Sequence, residues 1–381
     1  MNRKLLKLSI FLFFWIFSLA SFAQFKVTFL LDSNSVKNST DSIFIAGNFN
    51  NWNPHDNHYL ITNNLEKKSL TISLPAGNYE YKMTKGSWNT VETMKKGEQI
   101  GNRILKLFSD TSISIKIEGW NKDSTTTNET KQSTSKNVYL LDSAFYIPQL
   151  KRSRRIWIYL PPDYNSTSKS YPVLYMQDGQ NLFDNATSFS GEWGVDEYLD
   201  SMYEKGKKDV IVIGIDNGQN KRMSEYNPWE FQQFGKGEGD QYVDFLVKTL
   251  KPFVDKTYRT KKDKKNTYIA GSSMGGLISY YAVLKYPKVF GGAGIFSPAF
   301  WTAPKINDYT DKNFKKVNSR LFFYAGGKEG ITMIPEMKGI INKISQSPKI
   351  AVKEIIDPTA SHNENAWKKW FPAFYEWTVL K

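Results

Sequence analysis

The spacing of apolar and polar positions divides the chain into four unlike stretches. Residues 1–23 open on Arg3, Lys4 and Lys7, run through apolar Ile10 to Phe17, and close on the small residues Ser21 and Ala23 before Gln24. A basic start, a short apolar run and small residues at the cut site form the pattern of a cleaved signal peptide. The run is shorter than the roughly 20 residues a membrane span needs, so no stable membrane anchor is expected. Residues 24–119 carry short runs rich in β-branched and aromatic residues: FKVTFLL, SIFIAG, SLTISL, YEYKM and SISIKI. Turns such as Pro75-Ala76-Gly77-Asn78 separate them, and about seven such strands predict an all-β, immunoglobulin-like sandwich. Residues 120–136, dominated by NKDSTTTNETKQSTSK, break the pattern. Half of that run is Ser or Thr and no residue in it is large and apolar. It cannot bury enough surface to offset its ordering entropy, which predicts a flexible linker.

Residues 137–381 alternate between two periods. Strands are predicted at Arg155–Leu160, Val173–Met176, Val210–Ile215, Thr267–Ala270, Gly292–Phe296, Leu321–Tyr324 and Val352–Ile356. Helical patterns fall between and after them, at 194–204, 240–255, 276–285, 332–344 and 364–379. Strands in alternation with helices predict a mostly parallel sheet with helices on both faces.

Composition narrows the chemistry. Among 381 residues there is no cysteine and there are three histidines, His55, His58 and His362. A thiol nucleophile, a thiolate metal site and a disulfide framework are excluded. His55 and His58 read as polar loop residues beside Trp52, and neither a metal nor an organic cofactor is expected. The formal charge is +14, or +11 without the three basic residues of the leader. The lysines are scattered, and the densest run, Lys261, Lys262, Lys264 and Lys265, falls in a predicted loop. With no nucleic-acid-reading motif beside them, a nucleic-acid partner is not expected.

The strongest chemical signal is Gly271-Ser272-Ser273-Met274-Gly275, a G-x-S-x-G between a predicted strand and a predicted helix. In that setting the serine is held on a tight turn at the strand's end, with the following helix N-terminus aimed at developing negative charge. Ser273 is therefore the candidate nucleophile. A serine hydroxyl needs a base, and His362 is the only histidine after it. The third member should be a carboxylate that fixes the imidazole tautomer. Glu329 follows the strand Leu321–Tyr324 and is favoured; Asp357 ends the next strand but lies only five residues before His362. The oxyanion donors are expected to be the backbone N–H groups of Met274 and of Gln180, the latter in the Gly-containing loop after Val173–Met176. Asn181 is a further donor through its side chain. Phe183, Trp193, Trp229, Trp301 and Trp367 lie in or near the loops, and Trp193 and Trp301 are the candidate substrate-binding aromatics.

These motifs resemble the "Putative esterase" (esterase D) family of α/β-hydrolases, which includes feruloyl, acetyl-xylan and enterochelin-type esterases. The matching stretches are Arg155 to Tyr164, YPVLYMQDGQNLFD, GEWGVDEYLD, GSSMGG, FSPAFW, YAGGKEG and the segment from His362 to Trp367. Gln177 stands where many relatives carry His. The resemblance implies a triad of Ser273, Glu329 and His362. Residues 24–119 resemble the glycogen- and starch-binding modules, including that of AMP-activated kinase β subunits, on IFIAGNFNNW, YEYK, Gly86-Ser87-Trp88 and Asn102-Arg103. That resemblance implies sugar contacts at Trp52, Lys82, Trp88 and Asn102. Together they imply an exported serine esterase acting on acylated carbohydrate or another small ester, with glycan held by the first domain. A siderophore trilactone esterase, and a carbohydrate-binding protein with an inactive hydrolase half, are the alternatives.

Overall fold

In the computed structural model, residues 24–32, 42–50, 52–64, 67–95, 100–121, 133–188, 191–231 and 235–380 are described. The predicted leader, and residues 122–132 of the predicted linker, lie outside them. Among the described residues no helix is long and apolar enough to cross a membrane.

The N-terminal domain holds β1 (Gln24–Leu31), β2 (Ile43–Gly47), β3 (Leu60–Asn64), β4 (Lys67–Pro75), β5 (Gly77–Thr84), β6 (Glu92–Thr93), β7 (Arg103–Leu107), β8 (Thr111–Ile115) and β9 (Gly119–Trp120). Seven strands hydrogen-bond in the order β7-β5-β2-β3-β4-β1-β8. The sheet folds over itself, because Phe29 of β1 meets Tyr81 of β5 edge-on at 5.2 Å although three strands separate β1 from β5 in that order. Alternation along β5 puts Tyr81 and Met83 in this core and leaves Glu80 and Lys82 on the opposite face.

The second domain adds β10 (Val138–Ile147), β11 (Arg152–Tyr159), β12 (Val173–Gln177), β13 (Ile211–Ile215), β14 (Thr267–Ser272), β15 (Gly292–Phe296), β16 (Arg320–Gly326) and β17 (Ala351–Asp357). They form one sheet in the order β10-β11-β13-β12-β14-β15-β16-β17, antiparallel only at β10·β11 and β11·β13. The predicted α/β architecture is therefore the observed one. Strands β12, β13 and β15 are buried along their whole length, as sheets covered on both faces require. The helix Met274–Lys285 packs on one face and is buried everywhere except its last residue. The helix Glu364–Phe374 packs on the other.

Register brings the loops together. Ser272 pairs with Phe296, Phe296 with Tyr324, and Tyr324 with Ile355, so neighbouring strands reach the C-terminal edge side by side. The chain leaves β12 toward β13 on one flank and returns to β14 on the other, which makes the β12/β14 boundary the switch point where such sheets open a crevice.

Three expectations change. The predicted helix 240–255 widens into a π turn at Leu246–Leu250, two residues before Pro252, which has no N–H and crowds the preceding turn. The predicted helix 364–379 ends at Phe374 and continues as a π turn at Tyr375–Val379, here after an internal proline, Pro372. The linker is not free at its two ends. Trp120 pairs with Glu92 inside the β-rich domain. Ser133, Ser135 and Asn137 bond to Glu192, Asp196 and Asp200 of the hydrolase.

Candidate active site

Ser273 sits at φ +58°, ψ −121°, between β14 and the helix Met274–Lys285. That backbone is costly for a residue with a side chain, and neighbouring strands hold it. Ser273 N–H donates to the Phe296 carbonyl at 2.9 Å, and its own carbonyl accepts from Ala299 N–H at 3.0 Å. The turn is tight enough that a Cβ on Gly271 would lie 2.8 Å from the Gly275 backbone. From Thr267 to Leu284 every residue is buried except Ser273. As the first residue of its helix, Met274 carries an N–H with no intrahelical acceptor.

Glu329 is 5% exposed and both its oxygens are engaged. Oε1 accepts from Ser297 Oγ and from Gly326 N–H, each at 2.7 Å. Oε2 lies 3.0 Å from His362 Nδ1. An ionised carboxylate only accepts, so Nδ1 carries the proton and Nε2 keeps its lone pair. The imidazole meets Trp367 edge-on at 5.1 Å, and Trp367 Nε1–H donates to Ser297 Oγ at 2.9 Å. Asp357, the rival acid, is bound elsewhere. Lys369 at 2.7 Å and Trp370 at 3.0 Å donate to Oδ2, and Thr359 donates to Oδ1 at 2.8 Å. These donors hold its carboxyl well below the usual carboxylate range.

The Gln180 turn is fixed from behind. Asp178 precedes it at φ +56°. Arg222 grips the Asp178 carboxylate with two bonds, at 2.7 and 2.9 Å, and Asn217 Nδ2 adds a third at 2.7 Å. Gly275 packs against Gln177 and Asp178, so this turn and the serine turn are in contact. Gln177 is buried and its Oε1 accepts from Tyr242 OH. Asn181 Nδ2 is directed at Glu364 Oε1, at 3.4 Å, which takes it away from the donor role considered for it.

The aromatic candidates divide. Trp301 is half-buried, two residues past Ala299 and therefore beside the serine turn. Trp193 is corrected to a core residue. It is 3% exposed and packs on Phe296 at 4.9 Å, Trp367 at 5.8 Å and Phe371 at 6.3 Å. Phe183 and Trp367 are likewise buried, and Trp229 packs on Tyr281 and Tyr309.

The predicted sugar contacts lie on the boundary with the hydrolase. Trp52 is 6.2 Å from Trp88 and 6.5 Å from Trp301. Lys82 lies on β5, where burial lowers its ammonium from the ordinary lysine range and the carboxylates of Glu92 and Glu364 oppose that shift. Asn102 Nδ2 donates to Glu80 Oε2 at 2.9 Å, which engages one of its two amide hydrogens. His55 lies against Phe44 at 4.7 Å, and His58 Nδ1 is 3.2 Å from Asp56. Sequence reasoning passed over Ser297, Arg222 and Glu80. Ser297 and Glu80 stand inside motifs it quoted, FSPAFW and YEYK, whereas nothing local marks Arg222.

A serine turn at the switch point of a mostly parallel sheet, on the same C-terminal edge as a histidine oriented by a carboxylate, defines an α/β-hydrolase of the serine type. Residues 147–329 match the family model described as "Putative esterase". Bacillus subtilis (strain 168) has a relative, the uncharacterized protein YbbA, that is 31% identical over 186 residues, 47% of this chain and 70% of YbbA. The chain belongs to the esterase family, a family of serine hydrolases. An endo-1,4-beta-xylanase/feruloyl esterase of Xylanibacter ruminicola is 28% identical over 219 residues, 56% of this chain, but the chain spans only 27% of that protein. Among solved structures, the enterobactin esterase FES from Shigella flexneri superposes with a TM-score of 0.50 at 14% identity, over 87% of this chain and 89% of that one. That likeness concerns the fold.

Proposed function

We propose that the protein hydrolyses carboxylic esters through an acyl-enzyme on Ser273, and that its substrates are acyl groups, acetyl or feruloyl, carried on oligo- or polysaccharide. The observation that carries the reading is the Glu329–His362 pair, formed at the sheet edge that also presents Ser273. His362 Nε2 takes the Ser273 proton as Oγ attacks the ester carbonyl, and Glu329 stabilises the imidazolium that results. The oxyanion is held by the N–H groups of Gln180 and Met274. The imidazolium protonates the departing alcohol, and a water activated by the same Nε2 then releases the acid. No step needs a metal or an organic cofactor. Support for a carbohydrate ester comes from the relative named as a xylanase/feruloyl esterase and from the half-buried indole of Trp301, two residues past the Ala299 N–H that bonds the Ser273 carbonyl.

We also propose export, supported by the leader pattern of residues 1–23. The test of the chemistry is a panel of p-nitrophenyl esters of increasing acyl length, with Ser273→Ala as control. Equal rates for the two proteins would remove Ser273 from the mechanism. Release of acetate or ferulate from xylan fragments supports the carbohydrate reading. Cleavage of a catecholate trilactone in their place supports a siderophore esterase.

A further inference from the structure

The loop that carries Glu329 is tied down unequally at its two ends. Before Glu329 the hydrolase holds it. Gly327 N–H donates to the Asp357 carbonyl at 2.7 Å, and Lys328 N–H to the Ala360 carbonyl at 2.9 Å. After Glu329 those ties stop. Gly330 turns the chain at φ +102°, Ile331 and Thr332 are exposed, and the next helix begins only at Met333. Among the described residues, no acceptor from the hydrolase takes the Ile331 N–H. The acceptor comes from the other domain: it is Glu80 Oε1, at 2.7 Å.

Glu80 is an odd choice for a residue that only glues two surfaces. It is 7% exposed, and among the described residues it forms no ion pair. Burying a carboxylate without a cation is costly, and an apolar side chain would adhere at less cost. Its partners instead fix its position. Asn102 Nδ2 holds Oε2 at 2.9 Å, and Asn48 Oδ1 accepts the Glu80 N–H at 3.2 Å. The opposing surface is shaped to receive it, since any Cβ on Gly330 would collide with the carboxylate. Gly101 of the same domain packs on the Lys328 carbonyl and on Ser361 Oγ. The β-rich domain thus touches the backbone on both sides of Glu329 and the residue before His362.

This placement bears on the proton relay. Ser297 and Gly326 fix only Oε1 of Glu329. Where Oε2 falls, 3.0 Å from His362 Nδ1, also depends on the backbone that leads away from Glu329. We propose that Glu80 is a positioning residue for the ester hydrolysis: by holding the Ile331 N–H it pins the loop that aims Glu329 at His362. The proposal rests on the esterase reading above, and it holds for an ester that carries no sugar.

The test uses the full chain, p-nitrophenyl acetate, and the variants Glu80→Ala and Glu80→Gln. Rates are taken per active Ser273, counted by titration with an organophosphonate, so that a partly unfolded sample does not count as a slow enzyme. Glu80→Ala is expected to lower kcat by about 10-fold or more with little change in KM, as a displaced catalytic group does. In Glu80→Gln the side-chain carbonyl still accepts the Ile331 N–H, and Asn102 can turn its own carbonyl to the new amide. Its kcat is expected to return to within about threefold of wild type, as the smaller displacement implies. A spectroscopic readout follows the geometry directly. With 15N-labelled histidine, only three residues give ring signals. The Nδ1–H signal of His362 is expected to move in Glu80→Ala and to keep its wild-type position in Glu80→Gln.

A Glu80→Ala enzyme with wild-type kcat, a loss carried by KM, or an unmoved Nδ1–H signal overturns the proposal while the esterase reading stands. Equal losses in the two variants also overturn it, because the carboxylate would then act through its charge. A wild type that neither reacts with the phosphonate nor cleaves the aryl ester overturns the esterase reading itself.

Discussion

The two regions that meet at the mouth of the site are built on opposite lines. On the hydrolase side the carboxylates near the proposed chemistry are held by fixed partners, while among the described residues Gln177 Nε2 is buried without one. Glu329 uses both oxygens, Ser297 links it to Trp367, and Asp178 is held by Arg222 and Asn217. On the β-rich side the indoles of Trp52 and Trp88 are partly open and, among the described residues, the Lys82 ammonium has no hydrogen-bond partner. Groups that move a proton or hold an oxyanion act best when fixed before the substrate arrives. Groups that grip a ligand must still have donors and faces to offer. The contrast predicts a kinetic division: changes on the hydrolase side act on kcat, and changes to the open groups of the β-rich side act on KM.

The largest effect tests the fixed half. Ser273→Ala is expected to lower kcat on p-nitrophenyl acetate by about 10⁴–10⁶-fold, the range seen when a serine nucleophile is removed. Its melting temperature should stay close to wild type. Glu329→Gln follows, with a loss of about 10³–10⁴-fold, because the amide favours the wrong imidazole tautomer. Asp357→Asn is the matched control. Asp357 holds Lys369, Trp370 and Thr359 and does not touch His362. That variant should lose thermal stability while kcat stays within about threefold of wild type, since the change lies outside the hydrogen-bond network that acts as a unit. A larger kcat loss for Asp357→Asn than for Glu329→Gln would reverse the assignment of the acid.

Arg222→Ala tests whether the fixed half extends beyond the triad. Arg222 touches no proposed reacting atom. It grips Asp178, whose left-handed backbone sets the turn carrying Gln180 N–H. Removing the grip should let that turn relax and weaken the oxyanion donor. The expected loss is about 10–10²-fold in kcat, below the 10²–10³-fold typical when an oxyanion donor is deleted outright. KM should change little, and Arg222→Lys should restore only part of the rate, because an ammonium cannot reproduce the two parallel bonds. A loss carried by KM would move Arg222 to the gripping side of the comparison.

The sequence disclosed these two halves unequally, for physical reasons. The strand–turn–helix around Ser273 is local, so the G-x-S-x-G and its neighbours revealed it. Chain order and the scarcity of histidine pointed to His362. The choice between Glu329 and Asp357 depended on side-chain partners: Lys369 and Trp370 come from a helix that follows both, and no spacing rule connects them. Trp193 and Trp301 look alike in sequence, each a Trp in a loop. One packs on the helix Glu364–Phe374 and is core; the other stays half-buried, two residues past Ala299, whose N–H bonds the Ser273 carbonyl. The strand Val138–Ile147 escaped notice because it lies at the sheet's edge and exposes Tyr139, Leu140 and Tyr146, so its apolar residues do not alternate cleanly. The docking of Glu80 on Ile331 spans 251 residues of chain and leaves no local trace.

The smallest effect concerns Glu364, at the point where the two regions touch. Burial raises its carboxyl to about 8. Asp178 pushes in the same direction, and Arg222 and Lys82 oppose it. The folded protein therefore holds this proton more tightly than the unfolded chain, whose carboxyl titrates near its ordinary 4.5. The stability this proton contributes is complete below about pH 4.5, declines as pH rises toward 8, and is gone above it. Asp196, raised to about 8, and Asp209 and Glu336, each raised to about 7, act in the same direction. Only a difference between proteins isolates Glu364. Glu364→Gln has no proton to release there, so its melting temperature should gain on wild type by a few degrees between pH 5 and pH 8, at constant ionic strength. A difference that stays flat, or shrinks, would mean that Glu364 is ionised throughout. It would then already pair with Lys82, and the β-rich side of the site would be as fully satisfied as the hydrolase side.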